Sequence, residues 1–166
     1  MLTRRHSVYL FAAAGGLALV GAGAARLTSG AKAAEEFEIT HSDAEWRKLL
    51  TPNQFAVLRQ AATERPFTSP LDHEKRAGIF SCAGCDLPAF SSTTKFDSGT
   101  GWPSFWAPLE NAIGTTQDTS YGMIRTAVHC RRCGGHLGHV FKDGPPPTGL
   151  RYCMNGVAMT FKVGAA

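Results

Sequence analysis

Cys82-Ala83-Gly84-Cys85 and Cys130-Arg131-Arg132-Cys133 are the stretches on which the fold turns. A Cys-x-x-Cys pair sets two sulfurs on one tight knuckle, and two knuckles complete a tetrahedron of four thiolates around a structural zinc ion. The chain has five cysteines. With Cys82, Cys85, Cys130 and Cys133 given to one zinc ion, Cys153 is left as a free thiol. Two disulfides are the alternative use of the same four residues, and an oxidising compartment favours them. Folding before export reconciles the two, because a metal loaded early shields the thiolates.

The ends of the chain set its boundaries. Thr3-Arg4-Arg5-His6 is a charged start, Val8 to Ala25 is an uncharged run rich in Ala, Gly and Leu, and Ala31-Lys32-Ala33 is a small-x-small cleavage site. Residues 1–33 therefore read as an export signal of the twin-arginine type, which carries folded proteins and implies a periplasmic destination. Ser7 departs from that pattern, which favours a bulky apolar residue there. An uncleaved membrane anchor is the other reading, since the run is long enough to span a bilayer; membrane contact is expected by that route only. Residues 34–42 read as a linker and 43–164 as one domain.

Charge supports the division. All 13 acidic residues follow Ala34, and with Arg4, Arg5, Arg26 and Lys32 set aside 13 basic residues remain. A neutral domain lacks the Lys and Arg excess that phosphate binding demands, so nucleic acid is not an expected partner. No interface signature stands out, and a monomer is expected.

Within the domain, Ser42 and Glu45 form a capping box for a helix with Trp46, Leu49 and Leu50 on one face. Pro52 opens a second helix behind Thr51, with Phe55, Leu58 and Ala62 inward. From Gly78 onward strand signals take over: Ile79 to Cys82, Tyr121 to Val128, His139 to Phe141 and Leu150 to Phe161. Short helices followed by antiparallel sheets around a metal anchor make a mainly β, α+β domain.

The lone thiol sits in Arg151-Tyr152-Cys153-Met154-Asn155. Residues two apart share one face of a strand, so Arg151, Cys153 and Asn155 point the same way. A guanidinium beside a thiol favours the thiolate, and an amide can donate to a bound oxygen. The pattern suits a nucleophile; a small buried core cysteine is the competing reading. His136-Leu137-Gly138-His139 supplies acid–base capacity, with glycines that allow a close turn. In Gly99-Thr100-Gly101-Trp102-Pro103-Ser104-Phe105-Trp106, Trp102 suits the wall of an apolar pocket that takes a thioether methyl, whereas Phe105 and Trp106 read as core. His129 reads as a supporting or surface residue.

At this point the chain resembles the methionine sulfoxide reductases of the B type, from about Asp43 to Phe161. The likeness rests on Thr63-Glu64-Arg65-Pro66-Phe67, on Lys95 to Phe105, on Gly135 to Phe141, on Gly149 to Asn155 and on both Cys-x-x-Cys pairs. It implies two antiparallel sheets of the β-tent type around a zinc anchor, with helices at the N-terminus. It implies reduction of methionine-R-sulfoxide, mainly in oxidised proteins, back to methionine. Carried onto these residues, Cys153 is the nucleophile, His139 the acid at the sulfoxide oxygen with His136 in support, Arg151 and Asn155 shape the thiolate and oxygen sites, and Trp102 packs on the substrate methyl.

Two departures stand out. Thr100 holds the position where many relatives carry a resolving cysteine, so a Cys153 sulfenic acid implies an external reductant, a thioredoxin-like protein or a small thiol, and sensitivity to peroxide. Gly156 stands where Ser is frequent, with little effect expected. A non-catalytic, zinc-anchored binding module on the same sheets is the alternative function; it has no need of Cys153 or the histidine pair.

Overall fold

The computed structural model describes residues 36–165. The expected export signal, residues 1–33, lies outside the described residues. Among the described residues no helix is long and apolar enough to cross a membrane.

Two short helices open the fold, α1 over Asp43–Leu49 and α2 over Pro52–Gln60. Both carry the reciprocal cap. The Glu45 N–H donates to Ser42 Oγ while the Ser42 N–H donates to the Glu45 carboxylate at 2.8 Å, and Thr51 with Gln54 repeats the arrangement. These bonds satisfy donors that a first helical turn leaves free. The expected inward trio divides: Trp46 and Leu50 are buried, but Leu49 is 62 % exposed. Leu50 has left the helix for an extended backbone (φ −112°, ψ 147°) and so turns inward out of the helical period. On α2, Val57 joins Phe55 and Leu58 in the core.

Among the described residues nine strands follow: β1 Gly78–Cys82, β2 Pro88–Ser91, β3 Lys95–Phe96, β4 Ser104–Phe105, β5 Ile113–Asp118, β6 Arg125–Cys130, β7 His136–Phe141, β8 Arg151–Met154 and β9 Met159–Val163. They form a three-stranded sheet ordered β2-β1-β9 and a six-stranded sheet ordered β3-β4-β8-β7-β6-β5. Every pairing is antiparallel. The fold is therefore mainly β with two antiparallel sheets and two short helices.

Two expected strands change shape. Tyr121 to Val128 is strand only from Arg125, because Tyr121 (φ 56°) and Gly122 (φ 70°) adopt left-handed backbone in a turn. Leu150 to Phe161 is not continuous. A 3-10 turn at Gly156–Ala158 interrupts it, so that β8 joins the large sheet and β9 the small one. The chain changes sheets there, which a period-two pattern does not reveal.

Phe80 and Phe90 from the small sheet meet Phe105 from the large one. Phe90 stacks on Phe105 at 4.5 Å between centroids, and Phe80 meets it edge-on at 5.0 Å. All three are fully buried, and each such pair adds about 1 kcal/mol beyond the area it buries. Val128, Leu137 and Met154 complete that core. Trp106 is only half-buried, against the expectation of core.

The two knuckles repeat one backbone design. The Asp86 N–H donates to Cys82 O at 2.8 Å and the Gly134 N–H to Cys130 O at 2.9 Å. Cys82 N–H reaches Leu87 O and Cys130 N–H reaches Gly135 O, both at 2.9 Å. Asp86 (φ 57°) and Gly134 (φ 67°) take the same left-handed turn. One knuckle follows β1 and the other follows β6, so the cysteines fasten the small sheet to the large one.

Candidate active site and metal centre

The register of the large sheet builds the site. Thr116, Ala127, His139, Cys153 and Ser104 lie directly across from one another on β5, β6, β7, β8 and β4. Cross-strand partners share a face, so this row points away from the core, while the adjacent row Val128–Gly138–Met154 points into it. Gly138 is required by that packing: a Cβ there would meet Cys153 O at 2.1 Å and Met154 Cα at 2.9 Å.

A cavity of about 120 Å³ opens on the outward face, lined by Trp102, His139, Phe141, Cys153 and Asn155 among others. It has room for one side chain. The structure thus gathers Cys153, His139, Asn155 and Trp102 from separate segments around one cavity. His136 and Arg151 do not line it.

His136 stands behind His139, their rings edge-to-face at 5.2 Å between centroids. Burial first, and then the neighbouring His139, pushes the His136 pKa down to about 4. Its ring is therefore neutral at neutral pH. His139 Nε2 meets Asp118 Oδ2 at 2.8 Å. Hydrogen bonds from Ser120, then from His139 and Arg125, hold the Asp118 carboxyl well below the usual carboxylate range. Arg125 Nη2 donates to the same Asp118 oxygen at 2.6 Å.

Arg151 lies beside Cys153 but is engaged elsewhere. Its Nε and Nη2 donate to the two Asp143 oxygens at 2.9 and 2.8 Å, and its guanidinium sits 4.5 Å over the Phe141 ring. Burial pushes the Cys153 thiol above its ordinary value, against the pull of Arg151 and of a hydrogen bond with Thr100; Asp143 reinforces burial. This corrects the expectation of a depressed pKa. Arg151 does favour the thiolate, but desolvation outweighs it and the bidentate carboxylate offsets part of its charge. Thr100 Oγ1 stands 4.0 Å from Cys153 Sγ and leads a hydroxyl chain through Ser98 to Ser104, with 2.8 Å links.

Glu64 holds the other wall. Its N–H donates to Asn155 Oδ1 at 2.9 Å, and its carbonyl accepts from Trp102 Nε1 at 3.1 Å. Its carboxylate accepts the Gly156 and Val157 N–H groups at 2.5 and 2.9 Å. Burial raises the Glu64 pKa, opposed by those two backbone donors. Asn155 itself donates Nδ2 to Leu137 O at 3.0 Å and is buried. Asn155 thus commits Oδ1 and one Nδ2 hydrogen to the scaffold, and the second Nδ2 hydrogen remains to donate at the cavity it lines. Glu64, Asp118 and Arg125 had no role in the sequence reading. Glu64 lay within a quoted motif; Asp118 and Arg125 had no local signal, since only the combined register of β5, β6 and β7 brings them to His139. His129 is buried rather than at the surface.

The sulfurs of Cys82, Cys85, Cys130 and Cys133 all lie within 4.8 Å of one another. Cys82 and Cys133 are 3.7 Å apart, and Cys85 and Cys130 are 3.4 Å apart, with no disulfide among them. A tetrahedron with metal–sulfur bonds of about 2.3 Å has edges of about 3.8 Å, so the four thiolates fit one tetrahedral ion. Cys153 stands outside this group.

Comparison with known proteins agrees with this arrangement. The SelR domain family matches residues 50–163. The chain is 62 % identical over 119 residues to the "Peptide methionine sulfoxide reductase MsrB" of Pseudomonas putida (strain W619), covering 71 % of this chain and 90 % of that protein. It is 53 % identical over 126 residues to the protein of the same name from Agrobacterium fabrum, covering 75 % of this chain and 93 % of the relative. With Pseudomonas syringae pv. syringae the identity is 60 % over 116 residues, 69 % and 88 % of the two chains. A thiol and an imidazole paired in a side-chain-sized cavity, on a fold pinned by four cysteines, thus coincide with full-domain similarity, and the chain belongs to the SelR-domain MsrB family of peptide methionine sulfoxide reductases, which are oxidoreductases.

Proposed function

We propose that this protein reduces methionine-R-sulfoxide, chiefly within oxidised polypeptides, to methionine. The observation that carries the reading is the cross-strand pair His139–Cys153 in the cavity walled by Trp102. The Cys153 thiolate attacks the positively polarised sulfur while a proton passes from His139 to the sulfoxide oxygen. This forms a sulfur–sulfur bond, and a second proton from solvent lets the sulfur–oxygen bond break with loss of water. A water molecule then attacks the Cys153 sulfur, breaking the sulfur–sulfur bond to release methionine, a proton and the Cys153 sulfenic acid. Trp102 packs against the substrate methyl and orients it. Asp118 orients His139, Arg151 favours the thiolate, and Glu64 with Asn155 holds the wall.

An external thiol, thioredoxin-like or small, reduces the sulfenic acid in two steps, through a mixed disulfide and loss of water. The support is that the other four cysteines cluster together and Thr100 borders Cys153. The four-cysteine centre suits a structural zinc ion, held by Cys82, Cys85, Cys130 and Cys133, which keeps the sheets joined. Residues 1–33 act as a twin-arginine export signal for a periplasmic protein whose domain spans residues 43–164; the charge division and cleavage motif support this.

The test is turnover of a peptide carrying resolved R and S sulfoxides, with dithiothreitol as reductant and Cys153→Ser as control. Loss of the R epimer alone, abolished by the substitution, is the expected result. Consumption of the S epimer, or unchanged turnover by Cys153→Ser, overturns it.

A further inference from the structure

The cavity that holds Cys153 is about 120 Å³, enough for a side chain and not for the polypeptide that bears it. That polypeptide must leave by the mouth. The mouth opens onto a cleft of about 930 Å³ that shares Thr63, Arg125 and His139 with the cavity. One wall of the cleft is formed by Thr119, Ser120 and Tyr121, the first half of the turn that joins β5 to β6.

That turn presents its apolar side chains to solvent. Tyr121 is 89 % exposed, Ile124 79 % and Met123 48 %. Three large apolar residues within four positions form an exposed patch of the kind that marks a binding surface. The patch is held outward by a strained, anchored backbone. Tyr121 carries φ 56°, which costs a residue with a side chain about 1 kcal/mol. Arg125 Nη2 donates to Ser120 Oγ at 3.1 Å, the Ser120 N–H donates to Asp118 Oδ1 at 2.9 Å, and the Arg125 guanidinium lies 6.0 Å over the Tyr121 ring. The same Asp118–Arg125 pair holds His139. The patch and the active site therefore share one anchor, and Tyr121 sets the patch at the edge of the cleft that leads to the cavity.

We propose that the Thr119–Ile124 turn is the docking surface for the substrate polypeptide: an unfolded segment whose apolar side chains next to the oxidised methionine lie on Tyr121, Met123 and Ile124. The proposal rests on the reductase reading above. Methionine is a core residue by preference, so a chain that exposes its sulfoxide also exposes apolar neighbours. Binding energy from those neighbours then accrues only to substrates that are unfolded around the sulfoxide, so the enzyme favours damaged over intact protein surfaces.

The test compares the full chain with its Tyr121→Ser/Ile124→Ser variant, both driven by dithiothreitol. The substrates are two unstructured peptides with one methionine-R-sulfoxide, flanked by leucines in one and by glycines in the other. The variant is expected to lose about tenfold in kcat/KM on the leucine-flanked peptide, through KM, and to stay within roughly twofold on the glycine-flanked one. Tyr121→Phe/Ile124→Leu is expected to keep the preference. Equal loss on both peptides, or no loss on either, overturns the proposal. With the assays repeated on a thioredoxin-like protein in place of dithiothreitol, a loss confined to that reductant also overturns the proposal and assigns the patch to the reductant. If the unsubstituted chain turns over neither peptide, the reductase reading itself fails and takes the proposal with it.

Discussion

Asp118 reaches over a whole strand to His139. The two residues sit on β5 and β7, with β6 between them, yet Asp118 Oδ2 and His139 Nε2 are 2.8 Å apart. The residue of β6 directly opposite His139 is Ala127, whose small side chain leaves the space open. A carboxylate that engages one ring nitrogen fixes the imidazole's orientation and tautomer.

Asp118→Asn is accordingly expected to lower kcat on the order of 100-fold, with KM little changed and the fold intact. Ala127→Leu, which fills the intervening space, is expected to reproduce the loss while leaving Asp118 in place. Steady-state kinetics on an R-sulfoxide peptide decides it; wild-type kcat for both variants would show the contact to be incidental.

Because burial sets Cys153 above the ordinary thiol range while Arg151 opposes it, alkylation of Cys153 should gain rate with pH and reach its midpoint above that of a free cysteine. Arg151→Met removes the favourable charge and also leaves Asp143 without its guanidinium partner. Both effects disfavour the thiolate, so the midpoint should rise further. Iodoacetamide kinetics against pH, with the product mapped by mass spectrometry, measures it, and a midpoint that falls would contradict the sign.

Thr100 lies beside Cys153, with Oγ1 4.0 Å from the sulfur. Thr100→Cys should therefore trap the oxidised nucleophile as an intramolecular disulfide after a single turnover without reductant, seen as loss of two thiols and a mass change of two hydrogens. The unsubstituted chain should instead hold a sulfenic acid and lose activity to excess peroxide. Loss of only one thiol in the variant, as in the unsubstituted chain, would show that a cysteine at this position fails to reach.

Gly156 is set by its neighbour. A Cβ at this position would stand 1.8 Å from Ser69 Oγ and 2.6 Å from Ser69 Cβ. Gly156→Ser should then destabilise the fold by about 1–3 kcal/mol, and Ser69→Gly should recover most of that loss in the double variant. Thermal melts of the four proteins test the coupling; additive effects would refute it. The small effect anticipated from sequence is thereby revised, because that expectation took no account of Ser69.

Local chemistry made much of this protein legible in the sequence alone. The Ser42–Glu45 capping box, the start of α2 at Pro52 behind Thr51, the two knuckles and the lone status of Cys153 depend on residues a few positions apart, and short-range hydrogen bonds and ligand spacing obey rules visible in the chain. Motifs brought Cys153, His139, Asn155 and Trp102 to one site in advance. Tertiary structure decided the rest. The Asp118–His139 contact, the clamp of Glu64 on residues 156 and 157 and the fit of Gly156 against Ser69 join residues 21, 92 and 87 positions apart. Such pairs are created by strand register and sheet packing, which no local pattern encodes. The net direction of the Cys153 pKa was likewise decided there, since Arg151 is only two positions away in sequence whereas burial and Asp143 depend on the assembled sheet.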